Sequence, residues 1–162
     1  MVIGSPGAGK STFSKRLAAE TGLPLTHLDD HFWLPNWKQR YTSEEWDQTL
    51  RAMAAEEAWI LDGNYTRTLE IRAERADHLI VLAAPRFLCL YRVITRAWFN
   101  RRPDRDVLDR ESFDLEFLRF IWNFPRTSRR QMERLAAYPQ LKTTILRNER
   151  ETTELLASLK SR

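Results

Sequence analysis

The chain has 162 residues, a single cysteine and no long apolar run. One cysteine excludes a disulfide within the chain, as expected in a reducing cytoplasm. The stretch FLCLY around Cys89 is apolar, which predicts a small buried side chain rather than a nucleophile. No segment approaches the roughly 18 apolar residues of a membrane span. We therefore expect a cytoplasmic protein without a membrane partner.

Internal repeats, low-complexity tracts and linker-like segments are also missing from the sequence. Of its three histidines, His27 and His31 lack the spaced partners of a metal site. The length predicts one domain over residues 1–162, large enough to bury a full core. The oligomeric state is not indicated.

The strongest motif is GSPGAGKST, which fits the pattern G-x-x-x-x-G-K-[ST] with Gly4, Gly9, Lys10 and Ser11 in register. Backbone N–H groups in such a loop curl around phosphate oxygens, and the following helix points its positive dipole end at the anion. Lys10 would hold the β- and γ-phosphates of ATP, and the Ser11 hydroxyl would bind Mg²⁺. The predicted nucleotide-binding residues are Gly4, Ser5, Pro6, Gly7, Ala8, Gly9, Lys10, Ser11 and Thr12.

Strands alternate with helices along the chain, which predicts an α/β fold with a parallel sheet covered on both faces. Ligands bind such sheets at the carboxyl ends of the strands. The first strand is short, so we expect it to be clipped here or the natural chain to begin upstream. The expected strands cover 1–3, 24–28, 58–61, 78–83 and 141–146. The expected helices cover 12–20, 42–57, 67–75, 86–100, 112–137 (with a kink or break at Pro125) and 149–159.

Two aspartates are predicted to follow neighbouring strands. Asp62 ends an apolar strand, as a carboxylate that holds Mg²⁺ would, and Gly63 after it would permit close approach of a ligand. Asp29 ends the strand before it and could act as a general base toward an acceptor hydroxyl. The alternatives are a strand-to-turn Asp-Gly for Asp62 and an N-cap or turn residue for Asp29.

The stretch HFWLPNW concentrates aromatic side chains in a predicted loop after Asp29 and Asp30. Trp33 and Trp37 could stack on an acceptor, or together with Phe32 they could cover the sheet edge as a small satellite core. Both interpretations stay open at this stage.

Arginine supplies 21 of the 26 basic residues, and residues 86–134 carry a net charge of +5. Arg92 and Arg96 are spaced i,i+4 and share a helix face. The polar segment 101–112, with Arg101 and Arg105, is predicted to close over bound nucleotide as a lid that stabilises phosphoryl-transfer charge. The alternative is a solvated basic surface.

Several motifs in order, namely LDDHFWLPNW, WILDGNY, ERAD, RPDR and DLEFLRFIWNFP, resemble the FlaR-type proteins known as DNA topology modulation proteins. These sequences are similar to the adenylate-kinase-like branch of P-loop kinases. The resemblance implies a five-stranded parallel sheet in the order 2-3-1-4-5 with a helical lid. It also implies an acceptor site near Gly63, Asn64 and Arg67. Adenylate kinases have LDGFPR where this chain has LDGNYTR, so Arg67 is shifted by one position and AMP is not implied as the acceptor.

The leading prediction is an ATP- and Mg²⁺-dependent phosphotransferase acting on a small molecule, such as a nucleoside, a nucleotide or an alcohol. A nucleotide-dependent DNA-binding regulator is the second possibility, although acidic residues interleaved with the arginines would repel a phosphate backbone. An ATPase switch is the third.

Overall fold

One parallel sheet of five short strands organises the computed structural model, which describes residues 1–34, 38–99 and 115–160. The strand order is β2-β3-β1-β4-β5, as predicted. The register pairs Val2 of β1 with Ile80 of β4 and His27 of β2 with Asp62 of β3. The strands are β1 (Val2–Gly4), β2 (Leu25–His27), β3 (Ile60–Asp62), β4 (His78–Leu82) and β5 (Lys142–Leu146).

Helices lie on both faces of the sheet and flank it between successive strands. Their bounds are α1 (Lys10–Thr21), α2 (Leu28–Phe32), α3 (Ser43–Ala55), α4 (Leu69–Ala73), α5 (Arg86–Phe99), α6 (Leu115–Leu135) and α7 (Glu149–Lys160). A short 3-10 helix (Thr66–Thr68) precedes α4.

Alternation along the strands divides the core into layers. In β1, Val2 packs into a cluster with side chains of α1, α5, α6 and α7, whereas Ile3 packs on the opposite face against α4 and the end of α6. In β3, Ile60 joins the first cluster and Leu61 joins a third, built around Trp46 of α3. The central strands β1, β3 and β4 are buried on both faces, as is typical of α/β sheets, which explains why their sequences are mostly apolar.

The structure corrects two expectations near the second strand. β2 ends at His27 rather than at Leu28, so the strand ends one residue earlier than predicted. Asp29 and Asp30, predicted to follow the strand directly, lie instead in the first turn of the short helix α2. Negative charge is favoured there by the helix dipole.

Helix α6 continues through Pro125, so the predicted break does not occur there. A kink at Pro125 stays a prediction, since proline removes one backbone hydrogen bond from a helix interior. Ile121 and Phe124 beside it are buried against the rest of the protein.

Two further expectations fall outside the described residues. These are the segment 101–112, predicted to be a lid, and the region around Trp37. None of the helices that the structure describes is both long and apolar enough to cross a bilayer.

Candidate active site

A cavity of about 720 Å³ opens at the carboxyl ends of β1, β2 and β3. Residues 6–12 of the P-loop form its floor, and Asp29, Trp33 and Asp62 line it as well. The parallel sheet brings these segments together because all its strands end at the same edge.

The P-loop is held in place by contacts from its neighbours. The backbone N–H of Gly4 donates to Asn64 Oδ1 at 3.0 Å, and Lys10 Nζ donates to the carbonyl of Ser5 at 3.2 Å. Helix α1 begins directly at Lys10, two residues earlier than predicted, so its N-terminal dipole points into the cavity. This arrangement suits the phosphates of a nucleotide.

Asp62 is buried, with only 4% of its surface exposed, at the end of β3. Its Oδ2 lies 2.8 Å from His27 Nδ1, while Oδ1 has no hydrogen-bond partner among the described residues. The hydrogen bond that His27 makes to Asp62 raises the pKa of His27. Sequence reasoning missed this pairing, because only the register of β2 beside β3 places the two residues together.

The residues around Asp62 fit a magnesium ion. An unsatisfied buried carboxylate oxygen requires a partner, and Ser11 lines the same cavity. Among the described residues, no three His, Cys, Asp or Glu side chains cluster as a metal site. Mg²⁺ is usually bound by one or two carboxylates together with substrate phosphates and water.

Four of the residues predicted to bind an acceptor line the same cavity as the P-loop. They are Asp29, Trp33, Gly63 and Asn64, and Asp30 lines it as well. Phe32 instead packs edge-on against Trp46, with ring centroids 4.9 Å apart, and so belongs to the satellite core. Trp33 also packs edge-on against Phe32, with ring centroids 4.8 Å apart, and its stacking on an acceptor stays a prediction.

Gly63 lines the cavity, and it also lies close to neighbouring side chains of the protein. A Cβ at this position would lie 3.0 Å from Leu28 Cβ and 3.2 Å from Tyr65 Cδ2. The glycine therefore allows Leu28 and Tyr65 to pack against the loop that follows β3.

Arg72 fixes that same loop from behind, a role that sequence reasoning missed. Its side chain is fully buried, and it donates to the carbonyls of Gly63 and Asn64, both at 2.7 Å. Burial lowers the pKa of Arg72 to about 10, so the guanidinium stays charged at neutral pH. The sequence contained one indication of this role. Arg72 is a charged residue among the apolar residues of α4, where Leu69, Ile71 and Ala73 are buried.

Arg92 and Arg96 both line the cavity, as their i,i+4 spacing on α5 predicts. Arg92 Nη1 donates to the carbonyl of Gly7 at 3.4 Å, so α5 contacts the P-loop directly. Arg101 and Arg105 lie outside the described residues.

The structure does not bring Arg67 into this cavity. Its guanidinium makes a bidentate contact with Asp47, at 2.9 and 2.6 Å, and also donates to the carbonyl of Ser43. Arg67 instead lines a separate pocket of about 200 Å³ beside α3. The 3-10 turn at residues 66–68 directs it there, a feature that the sequence pattern did not reveal.

No protein-family model matches the chain, and no curated protein matches it significantly. Among solved structures it is similar to a shikimate kinase from Acinetobacter baumannii in complex with shikimate. That match has a TM-score of 0.65 and 16% identity, over 98% of this chain and 88% of the other. It also resembles a candidate kinase from Chloroflexus aurantiacus, with a TM-score of 0.54 and 14% identity over 99% and 96% of the two chains.

The chain therefore has the fold of the P-loop kinases. The finer resemblance to FlaR-type proteins stays a prediction from the sequence motifs.

Proposed function

We propose that the protein transfers the γ-phosphoryl group of ATP to a hydroxyl group of a small molecule. The observation that supports this most is that the P-loop, Asp62 and Asp29 line one cavity. A nucleotide site beside a carboxylate is the arrangement that phosphoryl transfer requires, because its catalysis depends mainly on positioning and on electrostatic stabilisation.

Each described residue has a distinct role in this proposal. Lys10 and the N-terminus of α1 bind the phosphates, and Ser11 with Asp62 would hold Mg²⁺. The ion supplies neutralisation of phosphate charge when it is bound. Arg92 and Arg96 stabilise the negative charge that spreads over the transferred group.

In the same cavity, Asp29 accepts the proton of the attacking hydroxyl. Trp33 offers an aromatic wall against which a planar or hydroxylated acceptor can pack. Because the carboxylates of Asp29 and Asp30 would repel a negatively charged acceptor and both residues line the cavity, we expect an uncharged acceptor, such as a nucleoside or another alcohol, in preference to a nucleotide or an acid.

The proposal is tested by replacing Lys10 with alanine. Lys10→Ala should weaken Mg-ATP binding at least about tenfold and abolish phosphotransfer, since charge-assisted contacts to phosphate contribute more than neutral hydrogen bonds. Titration calorimetry measures the binding, and a screen over nucleosides, nucleotides and alcohols measures the transfer. Lys15→Ala is the matched control, because Lys15 is an exposed lysine of the same helix that does not line the cavity.

Unchanged ATP affinity in Lys10→Ala would contradict the assignment of the nucleotide site. ATP hydrolysis that no acceptor stimulates would favour an ATPase switch. DNA binding that weakens steeply with salt would favour the regulator instead.

A further inference from the structure

Tyr65 touches the proposed general base. Its hydroxyl donates to Asp29 Oδ1 at 2.8 Å, and its ring lines the main cavity beside Asn64. The two residues are 36 positions apart in the sequence, so tertiary packing alone creates this contact. Tyr65 is thus placed to determine where the Asp29 carboxylate points.

The backbone of Tyr65 is strained. Among the described residues, it is the one non-glycine residue with a left-handed φ, at 32°. Bulky aromatic residues rarely adopt this conformation, and such strain concentrates at functional sites, where the surrounding structure enforces it.

Neighbouring groups enforce the conformation on both sides of Tyr65. Arg72 holds the carbonyl of Asn64, and the N–H and hydroxyl of Thr68 both donate to the carbonyl of Tyr65, at 3.0 and 3.2 Å. The ring packs against Phe32 and Trp46, with centroids 5.1 Å away in each case. A phenylalanine ring could make all of these packing contacts, so the packing does not account for the hydroxyl group.

We propose that Tyr65 is a positioning residue, whose hydroxyl aims the Asp29 carboxylate at the acceptor hydroxyl. This inference rests on the proposed function, in which Asp29 accepts the acceptor's proton. The hydroxyl of Tyr65 remains a donor throughout and transfers no proton itself. Its contribution is the orientation of Asp29, on which the rate of the chemical step depends steeply.

The kinetic test compares Tyr65→Phe with the wild type, using the best acceptor from the phosphotransfer screen. We expect kcat to fall about 10- to 100-fold, the range for a misaligned reacting group, while KM for ATP stays unchanged. Tyr41→Phe is the control, because Tyr41 stacks on Trp46 in the same aromatic cluster but does not line the main cavity. It should retain wild-type kcat.

A double-mutant cycle shows whether Tyr65 acts through Asp29. In an Asp29→Asn background, Tyr65→Phe should reduce the residual rate by less than about threefold, because the carboxylate that it orients is gone. Equal fold losses in both backgrounds, or wild-type kcat in Tyr65→Phe, would overturn the inference.

An NMR measurement tests the contact between Tyr65 and Asp29 without an acceptor and without turnover. The chain has four tyrosines, so tyrosine labelled with ¹³C at Cζ gives four signals that Tyr→Phe variants assign. Asp29→Asn should move the Tyr65 signal and leave that of Tyr41 in place. An unmoved Tyr65 signal overturns the contact even if the enzyme phosphorylates an acceptor. Conversely, a moved signal in a protein without phosphotransfer supports the contact and contradicts the proposed function.

Discussion

Single glycines decide how closely the P-loop can pack on its neighbours. The motif requires Gly4 and Gly9, whereas Gly7 occupies a position where the pattern allows any residue. In the structure Gly7 has φ +80°, and a Cβ there would collide with the carbonyl oxygen of Cys89 in α5. Since α5 also carries Arg92, which donates to the carbonyl of Gly7, this close approach brings the arginine to the phosphate-binding loop.

Gly7 and Gly22 form a matched pair for testing this packing. Gly22 has a similar φ of +72°, but a Cβ added there would meet nothing within 4 Å beyond its chain neighbours. Gly22→Ala should therefore cost only the left-handed strain, about 1 kcal/mol in the free energy of unfolding. Gly7→Ala should cost about 3 kcal/mol, because overpacking adds to the strain. Urea unfolding measures both, and equal losses would show that the loop can move away from α5.

At the scale of elements, the loop after β3 contacts both the P-loop and the proposed general base. Asn64 accepts from Gly4 of the P-loop, and Tyr65 donates to Asp29 of α2. Arg72 holds the loop from α4 through two backbone carbonyls. Among the described residues, Arg72 donates hydrogen bonds to these two carbonyls alone. Burying such a charge is costly, so its role lies in fixing the geometry of this loop.

Replacing Arg72 by methionine should release the loop. We expect Arg72→Met to lower the free energy of unfolding by about 2–4 kcal/mol, because two buried carbonyls lose their donors. Arg75→Met, at an exposed position just beyond the same helix, should change it by less than about 0.5 kcal/mol. Chemical denaturation checks both values. Wild-type stability in Arg72→Met would mean that other donors satisfy the two carbonyls.

Across the whole molecule, the parallel register gives two histidines opposite electrostatic environments. At the carboxyl end of the sheet, His27 lies beside Asp62, whose hydrogen bond raises the pKa of the imidazole. At the amino end, His78 pairs with Lys142, and burial, followed by the charge of Lys142, lowers the pKa of His78. Protonation of a histidine is thus favoured at the carboxyl end of the sheet and opposed at its amino end.

The pKa of His78 predicts how stability depends on pH. Its pKa in the folded protein lies below the ordinary value of 6.5, so the unfolded chain binds the proton more readily. Its contribution to stability is complete above pH 6.5 and is lost as the pH falls toward the folded-state pKa. His78→Gln should therefore lose less stability than the wild type as the pH falls from about 7 to about 5. Urea titrations give the free energy of unfolding of both proteins at each pH. The difference between the two values cancels the contributions of the other titrating groups. Parallel curves for the two proteins would contradict this prediction.

Much of the fold could be predicted because its signals are local. The P-loop pattern and the continuous apolar strands depend on neighbouring residues, and the arginine spacing on α5 follows from helix geometry. Together with the family resemblance, these features predict the correct strand order. The predicted end of β2 is wrong. Helix α2, which begins at Leu28, packs against α3, and no local helix- or strand-breaking residue marks its start.

The sequence by itself determined the phosphate-binding loop, the alternation of strands and helices, and the placing of Asp29, Asp62, Arg92 and Arg96 around one cavity. Only the tertiary structure decided that His27 pairs with Asp62, that Arg72 and Tyr65 support the site, and that Arg67 contacts Asp47 away from it. The physical reason is that these pairs are separated by 8 to 36 positions and depend on strand register and side-chain direction. Neither of these is encoded in the spacing of residues along the chain.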